Sequence, residues 1–140
     1  MKISIGADHR GYSLKNALIK HFAKLEWADV GAFDKKRSDY PVFAQKVCQS
    51  ILKKKAKRGI LICGSGVGMV IAANRYPKIY ATLCWNSEIA RVARQDDGSN
   101  VLVLPSDFIT KSQAIAIVEA WLAAPFKGGH YQERLDMVDE

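Results

Sequence analysis

The chain has 140 residues, 49% apolar and 25% charged, with ten glycines and four prolines. That is one domain's length with material for a real core, and it excludes disordered, collagen-like and low-complexity chains. Lysine and arginine number 21 against 14 acidic residues, a net charge of +7, which suits nucleic acid, an anionic membrane surface or a small anionic substrate.

Lys2–Gly6 reads as a short strand ending in Gly6-Ala7-Asp8-His9. From Gly11 to Leu25, Tyr12, Leu14, Ala17, Leu18, Phe22 and Leu25 recur near helical spacing. Trp27–Phe33 is a weaker strand, and the polar loop Asp34–Asp39 leads to Tyr40-Pro41, a helix start because proline suits the first turn. Phe43, Val47, Ile51 and Leu52 carry that helix to the basic run Lys53-Lys54-Lys55-Ala56-Lys57-Arg58. The run is expected to be a solvated helix end, with cations near a helix C-terminus. No aromatic residue is interleaved with it, so no nucleic-acid partner is expected.

Gly59–Cys63 is a continuous apolar strand of the kind buried on both faces of a parallel sheet. Gly64–Gly68 turns it into a helix, Met69–Arg75. A strand over Ile79–Cys84 precedes a helix around Ser87–Arg94, capped by Asn86 or Ser87. Asp96–Ser99 reads as a loop, Val101–Leu104 as a strand, and Lys111–Leu122 as a helix with Ala114, Ile117, Val118 and Trp121 inward. The tail Lys127–Glu140 carries too little core to fold back alone and is expected to pack near a neighbouring subunit.

Five strand-then-helix units without hairpin signals predict an α/β fold in a single domain over residues 1–140. Its core is a doubly wound, five-stranded parallel sheet with helices on both faces. The loops after the strands then share one edge, where ligands bind at a switch point. That edge collects Asp8-His9, the loop around Asp39-Tyr40, Cys63–Gly68, Asn86 and Ser106-Asp107. Three cysteines without a C-x-x-C pair support neither a disulfide framework nor a zinc knuckle, and reduced thiols fit a cytoplasmic protein. The apolar N-terminal run is too short for a signal peptide, and no stretch approaches the roughly 18 apolar residues of a membrane span. His9 and His130 have no partner at ligand spacing, so no metal is expected.

The most informative segment is Ile60-Leu61-Ile62-Cys63-Gly64-Ser65-Gly66-Val67-Gly68-Met69. A buried strand feeding a glycine-rich turn can aim several backbone N–H groups at one point, holding a phosphate or a developing oxyanion. The glycines could equally serve only close packing of helix on strand. A Walker A loop is excluded because Gly-Lys-Ser/Thr is absent, and Met69 fills the third glycine position of the dinucleotide fingerprint. Cys63, at the strand's end, is either core or a thiolate base whose pKa the local field lowers. Cys48, Cys84 and His21 lack such a setting and read as structural.

Three blocks resemble ribose-5-phosphate isomerase B and its wider sugar-phosphate isomerase family: Gly6-Ala7-Asp8-His9-Arg10-Gly11-Tyr12-Ser13-Leu14-Lys15; Ser38-Asp39-Tyr40-Pro41; and Gly59 through Met69 with Ile71-Ala72-Ala73-Asn74. The resemblance implies a Rossmann-like three-layer sandwich that dimerises, or forms a dimer of dimers, with each site shared between subunits. It implies cofactor-independent aldose–ketose isomerisation of a sugar phosphate, most simply ribose 5-phosphate to ribulose 5-phosphate. Cys63 would be the base that moves a proton between C1 and C2. Backbone amides of Gly64, Ser65, Gly66, Val67 and Gly68 would hold the enediolate oxygens. Asp8 and His9 would meet the sugar or its phosphate, and Tyr40 would line the pocket.

The chain departs from the resemblance at four positions. Asp96-Asp97 stand where the family carries the His-Asn that assists ring opening, making Asp96 a candidate proton donor and Asp97 a substrate contact. Asp107 falls on an expected arginine, and His130 on another. Arg134, with His9, His130 or Arg10, then has to hold the phosphate. An isomerase diverged toward another sugar and a non-catalytic sugar-binding homologue remain open beside the first reading.

Overall fold

A computed structural model describes all residues, 1–140. Five strands, β1 (Lys2–Ala7), β2 (Glu26–Asp29), β3 (Arg58–Cys63), β4 (Ala81–Leu83) and β5 (Val101–Pro105), form one sheet in the order β2-β1-β3-β5-β4. Every neighbouring pair is parallel, with Ala7 opposite Ile62 and Cys63 opposite Pro105.

Side chains alternate across a strand, so β3 sends Ile60 and Ile62 to one face and Leu61 and Cys63 to the other. The first face is covered by α1 (Tyr12–His21), α4 (Ser87–Asp97) and α5 (Lys111–Ala123), and the second by α2 (Tyr40–Leu52) and α3 (Val67–Ala73). Right-handed crossovers produce this division. The chain moves outward from β1 to β2, then reverses past β1 to β3. The segments leaving β1 and β3 therefore diverge to opposite faces and open a crevice between the strand ends. The expected three-layer, doubly wound sandwich is what the chain forms.

Ala114, Ile117, Val118 and Trp121 are all inward on α5, which begins with a capping box between Thr110 and Gln113. Trp121 is fully buried, and its Nε1 donates to Ser99 Oγ at 3.1 Å. Lys15 on α1 is buried as well. Its ammonium donates to both oxygens of Asp29 at 2.7 and 2.9 Å, which answers the charge at the end of β2.

Several boundaries differ from the sequence reading, each for a local reason. The first helix stops at His21 rather than Leu25, and Trp27 Nε1 then donates to the carbonyl of Phe22 beyond its end. Regular β2 ends at Asp29, although backbone bonds to β1 continue through Ala32. Helix α3 begins at Val67, because Gly66 takes the left-handed conformation (φ 77°) that starts it there. Asn100 bonds both Tyr80 N–H and the Lys78 carbonyl, which confines β4 to three residues. Asp96 and Asp97 are helical rather than looped, since α4 runs on to Gly98, whose left-handed backbone (φ 58°) ends it.

The basic run is not all solvated helix end. Arg58 belongs to β3, places its guanidinium 5.3 Å from the centre of the Trp121 ring, and donates to the carbonyls of Trp121 and Leu122. The tail forms a helix, α6 (His130–Val138), and it does fold back on its own chain. Leu135 is buried there against Gly98, and Asp139 accepts bonds from Lys78 N–H and the Tyr80 hydroxyl. The sequence reading undervalued these two anchors because only one of them is apolar. No helix is long and apolar enough to cross a membrane.

Candidate active site

The crevice between the ends of β1, β3 and β5 holds a cleft of about 370 Å³. Of the residues singled out from sequence, Asp8, Tyr40, Cys63, Gly64, Ser65 and Gly68 line it, joined by Arg10, Asp107 and Phe108. Cys63 is 5% exposed and is the last residue of β3. Burial pushes its thiol above the ordinary value of 9.0. The Met69 and Gly66 N–H groups pull it down, and the charges of Asp8 and Asp107 push it up again. The net shift is upward, which corrects the expectation of a lowered thiol pKa: desolvation outweighs the amides of the turn. Cys48 and Cys84 are buried too, and burial takes them to about 12 and about 11.

The glycine turn is shaped by its neighbours. Ser65 Oγ accepts a bond from Val67 N–H at 3.2 Å, closing the turn on itself. The Tyr40 ring lies on Gly68, where an added Cβ would come within 2.6 Å of its Cζ. A proline at the start of α2 sets Tyr40 in that position. Gly66 and Val67 belong to the same turn without lining the cleft.

Asp8 is 6% exposed, and its Oδ1 accepts from the N–H groups of Arg10 and Gly11 at 3.0 and 3.2 Å. It therefore shapes the turn after β1 while lining the cleft. His9 does not line this cleft and is bonded to the loop before α2. There its Nδ1 accepts from Ser38 N–H at 3.2 Å, while its own N–H donates to Ser38 Oγ at 3.0 Å.

The other candidates lie elsewhere. In a parallel α/β sheet each helix runs back toward the strand beginnings, so the end of α4 is at the amino edge, away from Cys63. Asp97 lines a second hollow of about 450 Å³ there, together with Tyr80, Leu135 and Asp139. Asp96 is half-buried, and its Oδ1 lies 3.1 Å from Lys127 Nζ, an ion pair that leaves this oxygen without a hydrogen bond. His130 and Arg134 are exposed on α6, and the Arg134 guanidinium sits 5.5 Å from the centre of the Tyr131 ring. One chain thus holds two separate groups of candidates.

A family model described as ribose/galactose isomerase matches residues 3–138. The chain belongs to that family. It is 37% identical over 139 residues to ribose-5-phosphate isomerase B of Escherichia coli, covering 98% of this chain and 93% of that one. A ribose 5-phosphate isomerase from Thermotoga maritima superposes with a TM-score of 0.96 at 42% identity, covering 99% of this chain and 97% of that one. Ribose-5-phosphate isomerase B from Mycoplasma genitalium, solved with bound ribulose-5-phosphate, gives 0.92 at 40% identity, covering 98% and 93%.

Within this family member, sequence reasoning left Phe108 out and treated Asp107 as an unanswered anion. Asp107 faces the cleft, but its Oδ2 is 2.5 Å from Arg10 Nη2. Nothing in the spacing of residues 10 and 107 announces that pair, because only the order of β1, β3 and β5 brings their loops together. Phe108 is 75% exposed, and a lone aromatic after a strand carries no signal of its own.

Proposed function

We propose that this protein interconverts ribose 5-phosphate and ribulose 5-phosphate through an enediolate, with Cys63 as the base. The Cys63 thiolate takes the proton from C2 of the open-chain aldose. Backbone amides of the turn residues that line the cleft, Gly64, Ser65 and Gly68, hold the negative oxygens that result. The thiol returns the proton to C1 while the proton on O2 passes to O1, giving the ketose. The shift oxidises C2 and reduces C1 of one molecule, so it needs neither a redox cofactor nor an external electron acceptor. The observation that carries this reading is a buried thiol at a strand end, met by the Gly66 and Met69 amides in an open cleft.

A second copy of the chain completes the site in this reading. It brings Asp96 to the ring-opening position, Asp97 as a sugar contact, and His130 and Arg134 to the phosphate. Two observations support this. The loops at the carboxyl edge expose Phe33, Trp85 and Phe108, apolar surface that a second copy would cover. Arg134 on α6 and Lys127 just before it both lie over the Tyr131 ring, and Arg134 is the cation suited to a phosphate. His9 contributes by holding the loop before α2, and with it Tyr40. The three unpaired, buried thiols suit a reducing cytoplasm.

The test is to incubate the purified protein with ribose 5-phosphate, hexose 6-phosphates and free pentoses, following each by NMR. Ribulose 5-phosphate should form fastest. Conversion confined to a hexose phosphate or a free pentose would overturn the substrate, and conversion of none would overturn the reaction.

A further inference from the structure

We infer that Arg10 is the phosphate-binding side chain this cleft draws from its own chain, and that Asp107 is the residue that positions it. The inference rests on the sugar-phosphate reading above and adds a specificity determinant to it.

Three charged side chains line the cleft: Asp8, Arg10 and Asp107. Arg10 is the single cation among them. Asp8 directs Oδ1 to the backbone N–H groups of Arg10 and Gly11, so its charge fixes the turn. The carbonyl of Arg10 is held as well, by Ser106 Oγ at 3.1 Å, and the same hydroxyl reaches the Cys63 carbonyl at 3.1 Å. Residue 10 is thereby tied on its amide side to the end of β1 and on its carbonyl side to the ends of β3 and β5. A solvated surface arginine has no need of such anchoring.

The side chain is anchored too. Asp107 Oδ2 lies 2.5 Å from Arg10 Nη2, and Asp107 N–H donates to the Gly64 carbonyl at 3.0 Å. The pair rests on Gly64 itself: a Cβ there would fall 2.8 Å from Asp107 Oδ2 and 3.0 Å from Arg10 Nε. The absence of a side chain at Gly64 thus gives the guanidinium room beside the residue next to the proposed base. A guanidinium has more N–H donors than one carboxylate oxygen can engage, and its planar fork matches phosphate oxygens. Asp107 holds the fork in one orientation and leaves donors for the ligand. Asp107 touches Arg10 and is not itself a phosphate contact.

The pair is 59% and 38% exposed, so it contributes little to stability and can be changed without unfolding the protein. The experiment compares the unsubstituted protein with Arg10→Ala, Arg10→Lys and Asp107→Asn. It reads KM and kcat for ribose 5-phosphate, and competitive inhibition by inorganic phosphate. Losing a charge-assisted bond to phosphate should raise KM and the phosphate inhibition constant of Arg10→Ala together by about tenfold or more. Most of the loss should fall on KM, not kcat. Arg10→Lys should recover part of it, and Asp107→Asn should raise KM severalfold because the guanidinium is no longer held. Both constants within twofold of the parent in Arg10→Ala would overturn the role of Arg10. A lower KM in Asp107→Asn would show that Asp107 opposes the phosphate, and would overturn its positioning role. If the unsubstituted protein does not turn over ribose 5-phosphate, the isomerase reading fails separately. Calorimetric titration of inorganic phosphate into parent and Arg10→Ala then still decides Arg10, by loss or retention of binding.

Discussion

Cys63 closes β3 where the strands end, and Asp97 closes α4 where the chain turns back to begin β5, so the two residues face opposite edges of one sheet. In a shared site each chain lends its amino edge to the other's cleft. Cys63→Ala and Asp96→Asn should then each be inactive alone and complement when mixed. Random exchange of subunits in a dimer leaves about a quarter of the sites intact. Subunit exchange followed by assay checks this. A mixture as dead as its parents, or a monomer fully active by sedimentation at assay concentration, would contradict the shared site.

The raised thiol pKa sets the direction of a pH profile. Burial disfavours the thiolate of Cys63, and the charges of Asp8 and Asp107 add to the effect. Alkylation of Cys63 by iodoacetamide should therefore be slow at neutral pH and still be rising at pH 9. Asp107→Asn removes one of the raising charges and should move the curve to lower pH. Mass-spectrometric rates at Cys63 measure both, and a plateau reached near pH 7 would contradict the desolvated setting.

Lys15 gives a stability prediction. Its ammonium is 1% exposed and bonds both oxygens of Asp29, whose side chain is 29% exposed. Removing one member of a buried pair leaves the other charge uncompensated, at about 3–5 kcal/mol. Because Asp29 keeps some solvent, Lys15→Ala should lose roughly 3 kcal/mol. Urea unfolding checks it, and a loss under about 1 kcal/mol would show that water replaces the ammonium.

Helix α6 has a latch with a defined pH sign. The Tyr80 hydroxyl, the Lys78 N–H and the Lys78 charge hold Asp139 below its ordinary value of 3.8. A depressed carboxylate stabilises the folded form fully above its unfolded pKa, and that stability is lost as pH falls through the folded pKa. Docking of α6 should thus persist at about pH 5 and fail only below the usual carboxylate range. Tyr80→Phe removes the largest of these contributions, so release should begin at a higher pH. Hydrogen exchange over residues 130–138 reads this directly.

The layers and the carboxyl-edge cleft were legible in the residues because strands such as Gly59–Cys63 are uniformly apolar and alternate with helical periodicity. Cys63, Asp8 and Tyr40 could be named because each follows a strand or opens a helix at that edge. The sign of the Cys63 shift was not legible. It depends on how deeply α2 and α3 cover the thiol, a tertiary quantity that spacing does not encode. The same holds for Asp107, whose charge looks unanswered until β1 and β5 are set on either side of β3. Helix α6 escaped because it is fastened by one leucine and by polar bonds from Asp139, not by an apolar stripe.

Whether Cys63 moves the proton is decided by one comparison of variants. Conversion of ribose 5-phosphate to ribulose 5-phosphate is followed for the unsubstituted protein and for Cys63→Ala, with Cys48→Ala and Cys84→Ala as controls. Cys63→Ala should bind the sugar phosphate within a few-fold of the parent yet show no conversion, while both controls turn over. Conversion by Cys63→Ala at the parent rate would contradict it.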